Sequence, residues 1–284
     1  MPDIALGLKR NGHFNGWLPR NSSRVGALAG GMILALLASA WSADAKKDKK
    51  EEKKPEPPRV AVVLPLAVSA GTTNKIKIRG QNLTDVTELR FTNSAVKATV
   101  ALKGKSKVEI PKDADAKKVG DTQVEVEVSF PSDAPPGTNY FTLTSTNGVS
   151  AAHPLIVLGA GEMIEEKEPN GGFRQAQRLA AGKTLLGMVK EPGDVDVFRV
   201  EGKPGAQIII EVNATRLGSA LDPLVMLYDA AGHILAVNDD AGGTKDSLLR
   251  HRLPADGACL VSVIDAQDRG GPTHAYLLRV TLEK

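Results

Sequence analysis

Val124, Val126, Val128 and Phe130 are separated by Gln123, Glu125, Glu127 and Ser129, and four apolar side chains at every second position share one face only in an extended chain. A strand with one dry and one wet face follows. The pattern recurs at Ile76 and Ile78 among Lys75, Lys77 and Arg79. It recurs again at Ile208, Ile210, Val212 and Ala214, and at Tyr276, Leu278, Val280 and Leu282. Leu224 to Tyr228 has no polar interruption, as expected of a strand covered on both faces. Turn chemistry separates these runs at Ser69-Ala70-Gly71, Gly80-Gln81-Asn82, Pro111-Lys112-Asp113, Pro135-Pro136-Gly137 and Thr146-Asn147-Gly148. The one helical turn expected is at Ala176–Ala180, beside Gln175 and including Arg178 and Leu179. The sum is an all-β chain of two tandem β-sandwiches.

A length of 284 residues accommodates two ordinary domains, and 42% hydrophobic with only 4% aromatic residues implies modest cores. The boundaries read as a leader over residues 1–45, a charged Lys/Glu/Pro linker over 46–58, a first sandwich over 59–161 and a second over 162–284. The leader carries Lys9, Arg10, Arg20 and Arg24 ahead of the small-residue-rich apolar run 25–40, which falls short of the ~20 residues that span a bilayer. Ala38-Ser39-Ala40 and Ala43-Asp44-Ala45 both fit signal-peptidase cleavage. Cleavage would leave no stable membrane insertion and place the chain in the periplasm, on the cell surface or outside the cell. The alternative is an uncleaved anchor.

Without the four cations and two acids of the leader, the formal charge falls from +3 to +1, which gives no basic signal for nucleic acid. Six lysines interleaved with four acids between Lys46 and Arg59 read as a solvated spacer. The single cysteine, Cys259, excludes an intrachain disulfide and a thiolate metal cluster. With Val261 and Val263 on its face, it reads as a core residue.

The polar residues with most to say are Glu166, Glu168 and Asn170, followed by Asp194 and Asp196. Oxygens at alternate positions of an extended segment project to one side, so the first three could converge on a hard cation with the aspartates opposite. The alternative is an interdomain hinge in which Asp194 and Asp196 cap a turn. Asn238-Asp239-Asp240 with Asp246 form a second acidic loop, read as turn-forming.

From Glu166 to Lys284 the chain resembles the bacterial pre-peptidase C-terminal domain, through Glu166-Lys167-Glu168-Pro169-Asn170, Gly193-Asp194-Val195-Asp196-Val197-Phe198, Leu221-Asp222-Pro223, Asn238-Asp239-Asp240 and Ala255-Asp256-Gly257. The resemblance implies a jelly-roll-like sandwich and, through relatives similar to clostridial collagen-binding domains, a Ca2+ site at Glu166, Glu168, Asn170, Asp194 and Asp196. Those domains place an acid after the asparagine, where this chain has Gly171. Gly71–Leu83, Pro136-Gly137 and Asn147–Ser150 resemble immunoglobulin-like IPT/TIG domains, which act as spacers or interaction modules. The pairing is similar to large secreted proteins of planctomycete-type bacteria.

No Gly-x-Ser-x-Gly elbow, phosphate-cradling glycine loop or zinc-spaced histidine pair occurs, so the chain reads as no enzyme. The expected function is a secreted or envelope-associated binding and adhesion protein whose partner is an extracellular polymer or protein. The alternatives are an accessory subunit of a secreted peptidase, acting in trans, and a structural envelope protein. Tyr228 and Tyr276 fall in buried strand patterns, which argues against collagen as the ligand.

Overall fold

The computed structural model describes residues 55–110 and 115–283. The leader over 1–45 and the linker up to residue 54 lie outside the described residues, all of which belong to one compact unit. Residues 55–58 have no regular structure. Among the described residues no helix is long and apolar enough to cross a membrane.

The first sandwich is built from β1 (Arg59–Leu64), β2 (Ala67–Ser69), β3 (Thr73–Gln81), β4 (Val86–Phe91), β5 (Thr99–Lys107), β6 (Thr122–Ser129), β7 (Gly137–Ser145), β8 (Gly148–Val149) and β9 (His153–Leu158). One sheet runs β1-β3-β6-β5 and the other β2-β9-β7-β4, with β8 on β7. The alternation at 123–130 does what its period requires. Val124, Val126, Val128 and Phe130 are buried against Ile76, Ile78, Phe141 and Leu143, while Glu125 and Glu127 face Lys77 and Lys75 across the β3–β6 pair. A short helix, α1 (Ala116–Val119), which the sequence reading did not anticipate, precedes β6.

The second sandwich comprises β10 (Met163–Glu165), β11 (Gln177–Arg178), β12 (Thr184–Met188), β13 (Asp196–Glu201), β14 (Gln207–Asn213), β15 (Pro223–Tyr228), β16 (Ile234–Asn238), β17 (Ser247–Arg252), β18 (Ala258–Asp265) and β19 (Ala275–Glu283). Its sheets run β10-β12-β19-β14-β17 and β11-β13-β18-β15-β16. Ile208, Ile210, Val212, Tyr276, Leu278 and Val280 meet Val225, Leu227, Val261 and Val263 between the sheets. Cys259 lies in this core, and burial pushes its thiol up to about 12, which makes it unreactive at neutral pH.

Two local expectations are corrected. The helical turn expected at Ala176–Ala180 is absent: Gln177 and Arg178 pair in parallel with Phe198 and Arg199, so a ladder to the distant strand β13 overrides local propensity. Leu224 to Tyr228 is not covered equally on both faces. Val225 and Leu227 are fully buried, whereas Leu224, Met226 and Tyr228 are half-buried on the outer face, where Phe173 packs on Tyr228 at 4.9 Å between ring centroids.

A third, smaller cluster joins the sandwiches. Val62, Leu66, Ala67 and Leu158 of the first pack with Leu217, Ala275 and Leu277 of the second. His153, at the start of β9, lies edge-on to Phe141 and against the Leu217–Gly218 turn, and burial lowers its pKa to about 4.

Candidate metal centre

β10 delivers Glu166 to the end of the second sandwich, where its backbone N–H donates to the Leu186 carbonyl at 3.0 Å. This extends the parallel β10–β12 pairing and turns the side chain toward the sheet end. One carboxylate oxygen of Glu166, Oε2, accepts the Met188 N–H at 2.9 Å. The other, Oε1, accepts Asn170 Nδ2 at 2.8 Å and the Tyr276 hydroxyl at 3.3 Å. Glu168 accepts the Asn170 N–H through Oε2 at 3.0 Å and pairs with Lys190 through Oε1 at 2.8 Å. The Lys190 ammonium, with the Asn170 N–H, holds the Glu168 carboxyl below the usual carboxylate range.

Asp196 opens β13 and points back into the same place, fully buried. Its Oδ2 accepts the Tyr276 hydroxyl at 2.7 Å, while Oδ1 has no hydrogen-bond partner. Asn170 is also fully buried, and its Oδ1 is likewise unpartnered. Because Nδ2 donates to a carboxylate, the orientation of that amide is fixed by chemistry and the orphan atom is an oxygen. Two buried acceptors without donors cost roughly 1–3 kcal/mol each.

Charge tells the same story. Burial, then the neighbouring Glu166 carboxylate, with Asp194 adding to it, pushes the Asp196 carboxyl well above the carboxylate range despite the opposing Tyr276 bond. The Tyr276 phenol is itself raised by burial and by both carboxylates, so it stays a donor. In Glu166, Glu168 and Asp196, one carboxylate oxygen each lies within 4.8 Å of the others. Acids so crowded that one of them is driven toward its protonated form are what a hard cation stabilises as carboxylates, and calcium takes six to eight oxygen ligands.

Of the five residues expected from sequence, Glu166, Glu168 and Asp196 converge, and Asn170 joins them through Glu166 and its own orphan oxygen. Asp194 sits at the margin. Its Oδ2 accepts the Lys190 N–H at 2.6 Å, closing the turn from Lys190 to Asp194, and its charge is felt by Asp196. Tyr276 and Lys190 are the members that sequence reasoning missed. Tyr276 reads as an ordinary core position in an alternating strand, and only the pairing of Gly187 with Tyr276 brings its hydroxyl to the acids. A Cβ at Gly187 would fall on the tyrosine ring, so this strand position requires glycine.

The second acidic loop is a turn at Asn238–Asp240, as expected, whereas the Asp246 carboxylate does not bond its own turn but anchors the distant 214–216 segment. Asn238 Oδ1 accepts the Leu248 N–H and its Nδ2 donates to the Asp240 carbonyl. Buried Asp246 accepts the N–H groups of Ala214 and Thr215, the Thr215 hydroxyl and Arg216 Nε. Asp229 and His233 form an exposed pair at 2.9 Å, and among the described residues no Ser, Thr or Cys side chain is hydrogen-bonded to a histidine.

No family model matches the chain. A protein of Deinococcus radiodurans named as a probable subtilase-type serine protease is 34% identical over 165 residues, 50% of this chain. The chain spans only 22% of the length of that relative. Among solved structures, the pre-peptidase C-terminal domain of a Bacillus anthracis collagenase is 16% identical, with TM-score 0.32, over 41% of this chain and 100% of that one. Aeromonas hydrophila PliG, a periplasmic inhibitor of g-type lysozyme, is 16% identical, with TM-score 0.30, over 38% of this chain and 97% of that one. Structural likenesses of this size carry no functional argument.

Proposed function

We propose that the chain is an exported, non-catalytic binding protein whose second sandwich is a calcium-stabilised module of the pre-peptidase C-terminal type. The observation that carries the reading is the pair of buried, unpartnered oxygens, Asn170 Oδ1 and Asp196 Oδ1, beside the carboxylates of Glu166 and Glu168. Calcium would be held by Glu166, Glu168, Asn170 and Asp196, and it would supply the positive charge that the buried acids lack. Asp194, which closes the adjoining turn, is the fifth member of the proposed set.

The binding surface is the outer face of the β15–β16 sheet. Phe173, Ile234 and Val237 are 43%, 59% and 52% exposed there, around half-buried Tyr228 and Met226. A contiguous apolar strip of this kind marks an interaction site, and Phe173 packed on Tyr228 ties it together. Its partner is an extracellular polymer or protein. Retention of the protein on cell-envelope fractions, with and without calcium, tests this. Binding lost in Phe173→Ser/Val237→Ser supports the face, and equal retention of the variant refutes it.

A second reading is favoured by the protease relative: service to a secreted peptidase in trans, as docking or inhibitory subunit. Co-purification of a peptidase from the native host supports it, and purification of the chain alone counts against it.

A further inference from the structure

A cleft of about 640 Å3 opens where the two sandwiches meet, lined by none of Glu166, Glu168, Asn170, Asp194 and Asp196. Its first wall is β1 and α1, carrying Arg59 and Lys118. Its second is formed by residues 215–222 and the loop 269–274, with Lys245 alongside. Four cationic side chains, Arg59, Lys118, Lys245 and Arg269, face two carboxylates, Asp115 and Asp222.

The acids of the second wall are already committed. Asp222 bonds Lys245 and also accepts Gln267 Nε2 at 3.0 Å, and Asp265, behind the wall, takes Arg269 at 3.1 Å. Arg59 and Lys118 form no ion pair with a described residue. With Asp115 counted beside Arg59 and Lys118, the four cations and two acids that line the cleft leave a formal charge of +2, between low-dielectric surfaces that strengthen its field.

The lining includes His274, 9% exposed, with both ring nitrogens buried and unpartnered. A buried imidazole nitrogen with nothing to bond to costs free energy that a polar occupant of the cleft would recover. The volume is that of a small-ligand site, and its position between two domains is where such sites concentrate.

We propose that this junctional cleft binds a multivalent oxyanion, which bridges Arg59 and Lys118 of the first sandwich to the loop bearing Arg269 and His274 in the second. Two surfaces that already meet through a small apolar cluster and through His153 on the Leu217–Gly218 turn would be locked together by the occupant. The site shares no residue with the proposed calcium set, so its failure would leave the calcium reading untouched.

Two sources of the chemistry are separable: a free anion and the acidic groups of an envelope polymer. The test is a titration of the full chain in metal-depleted buffer, without carboxylate chelators, with sodium tripolyphosphate in one arm and polygalacturonate in the other. Sodium chloride at matched ionic strength is the reference. The readouts are melting temperature and the ring resonances of His274.

A rise in melting temperature above the chloride reference in either arm, with movement of the His274 resonances, is expected, and the arm that responds identifies the source. Arg59→Ser/Lys118→Ser should weaken the responding anion at least tenfold, whereas Lys97→Ser/Lys105→Ser, on the β4–β5 side of the first sandwich, should not. Equal response in chloride, equal affinity in Arg59→Ser/Lys118→Ser, or a melting shift with stationary His274 resonances would each overturn the proposal.

Discussion

The two sandwiches use the same strand period to opposite ends. In the first, the polar residues between buried valines are spent on the wet face of the sheet, as Lys75 opposite Glu127 and Lys77 opposite Glu125 across β3 and β6. In the second, one end of the core is deliberately polar: Tyr276 is a core side chain whose hydroxyl serves two acids, and Asp196 is a strand residue buried with them. The first sandwich closes on its apolar faces, and its unpartnered buried polar side-chain atoms among the described residues, Arg79 Nε and His153 Nε2, are nitrogens that stand in no cluster of acids. The second is left with three converging acids and two unpaired oxygens at the same stage of assembly, and under the proposed function its stability depends on what it binds.

The largest effect that would sharpen this contrast is a core truncation in the first sandwich. Phe141→Ala removes a fully buried ring packed beside Leu143 and His153 and should cost about 3–5 kcal/mol. Urea unfolding should give the same loss in chelator and in calcium. A calcium-dependent loss would mean that the two regions do not differ as described.

Tyr276→Phe is next. It removes only a hydroxyl, yet leaves Asp196 Oδ2 and part of Glu166 without a donor, which amounts to about 1–3 kcal/mol in metal-free protein. Calcium should recover much of this by neutralising the same oxygens. Equal loss in both conditions, read from chemical denaturation, would show that Tyr276 acts on packing alone.

The pH dependence of His153 is smaller and belongs to the junction. Burial depresses its folded pKa from 6.5 to about 4, so the neutral ring is the form that the fold accepts. The associated stability is fully present above pH 6.5 and is lost as pH falls toward 4. His153→Gln should flatten the decline between pH 7.5 and 5, measured as urea midpoints with calcium held constant. An unchanged slope would remove His153 from the account.

The smallest expected change is Lys190→Ala, which breaks an exposed ion pair with Glu168 and should cost under about 1 kcal/mol without metal. In calcium the variant should bind no more weakly than the wild type, because Lys190 competes with the cation for Glu168. Weaker calcium binding, by titration calorimetry, would make Lys190 a support of the site rather than its competitor.

Much of this was legible in the chain and some was not, for definite reasons. Strand alternation at 123–130 and 207–214 reports burial directly, because the period of a strand is a property of neighbouring residues. Glu166, Glu168 and Asn170 were visible for the same reason. Tyr276 and Lys190 were not, since their membership depends on β12 pairing with β19 and on a turn that returns Lys190 to Glu168. The mistaken helical turn at Ala176–Ala180 has the same origin, a parallel pairing with β13 that local sequence does not encode. Short-range chemistry announces itself in sequence, and long-range register does not.

The most direct test of the central claim is thermal unfolding of the full chain in EGTA and in millimolar calcium, beside Asp196→Asn and the exposed-site variant Glu168→Ala. Calcium at a hundred times its dissociation constant should add about 2.7 kcal/mol to the wild type, with the gain abolished or sharply reduced in both variants. No gain in the wild type, or the same gain in all three proteins, would contradict a calcium-dependent second sandwich.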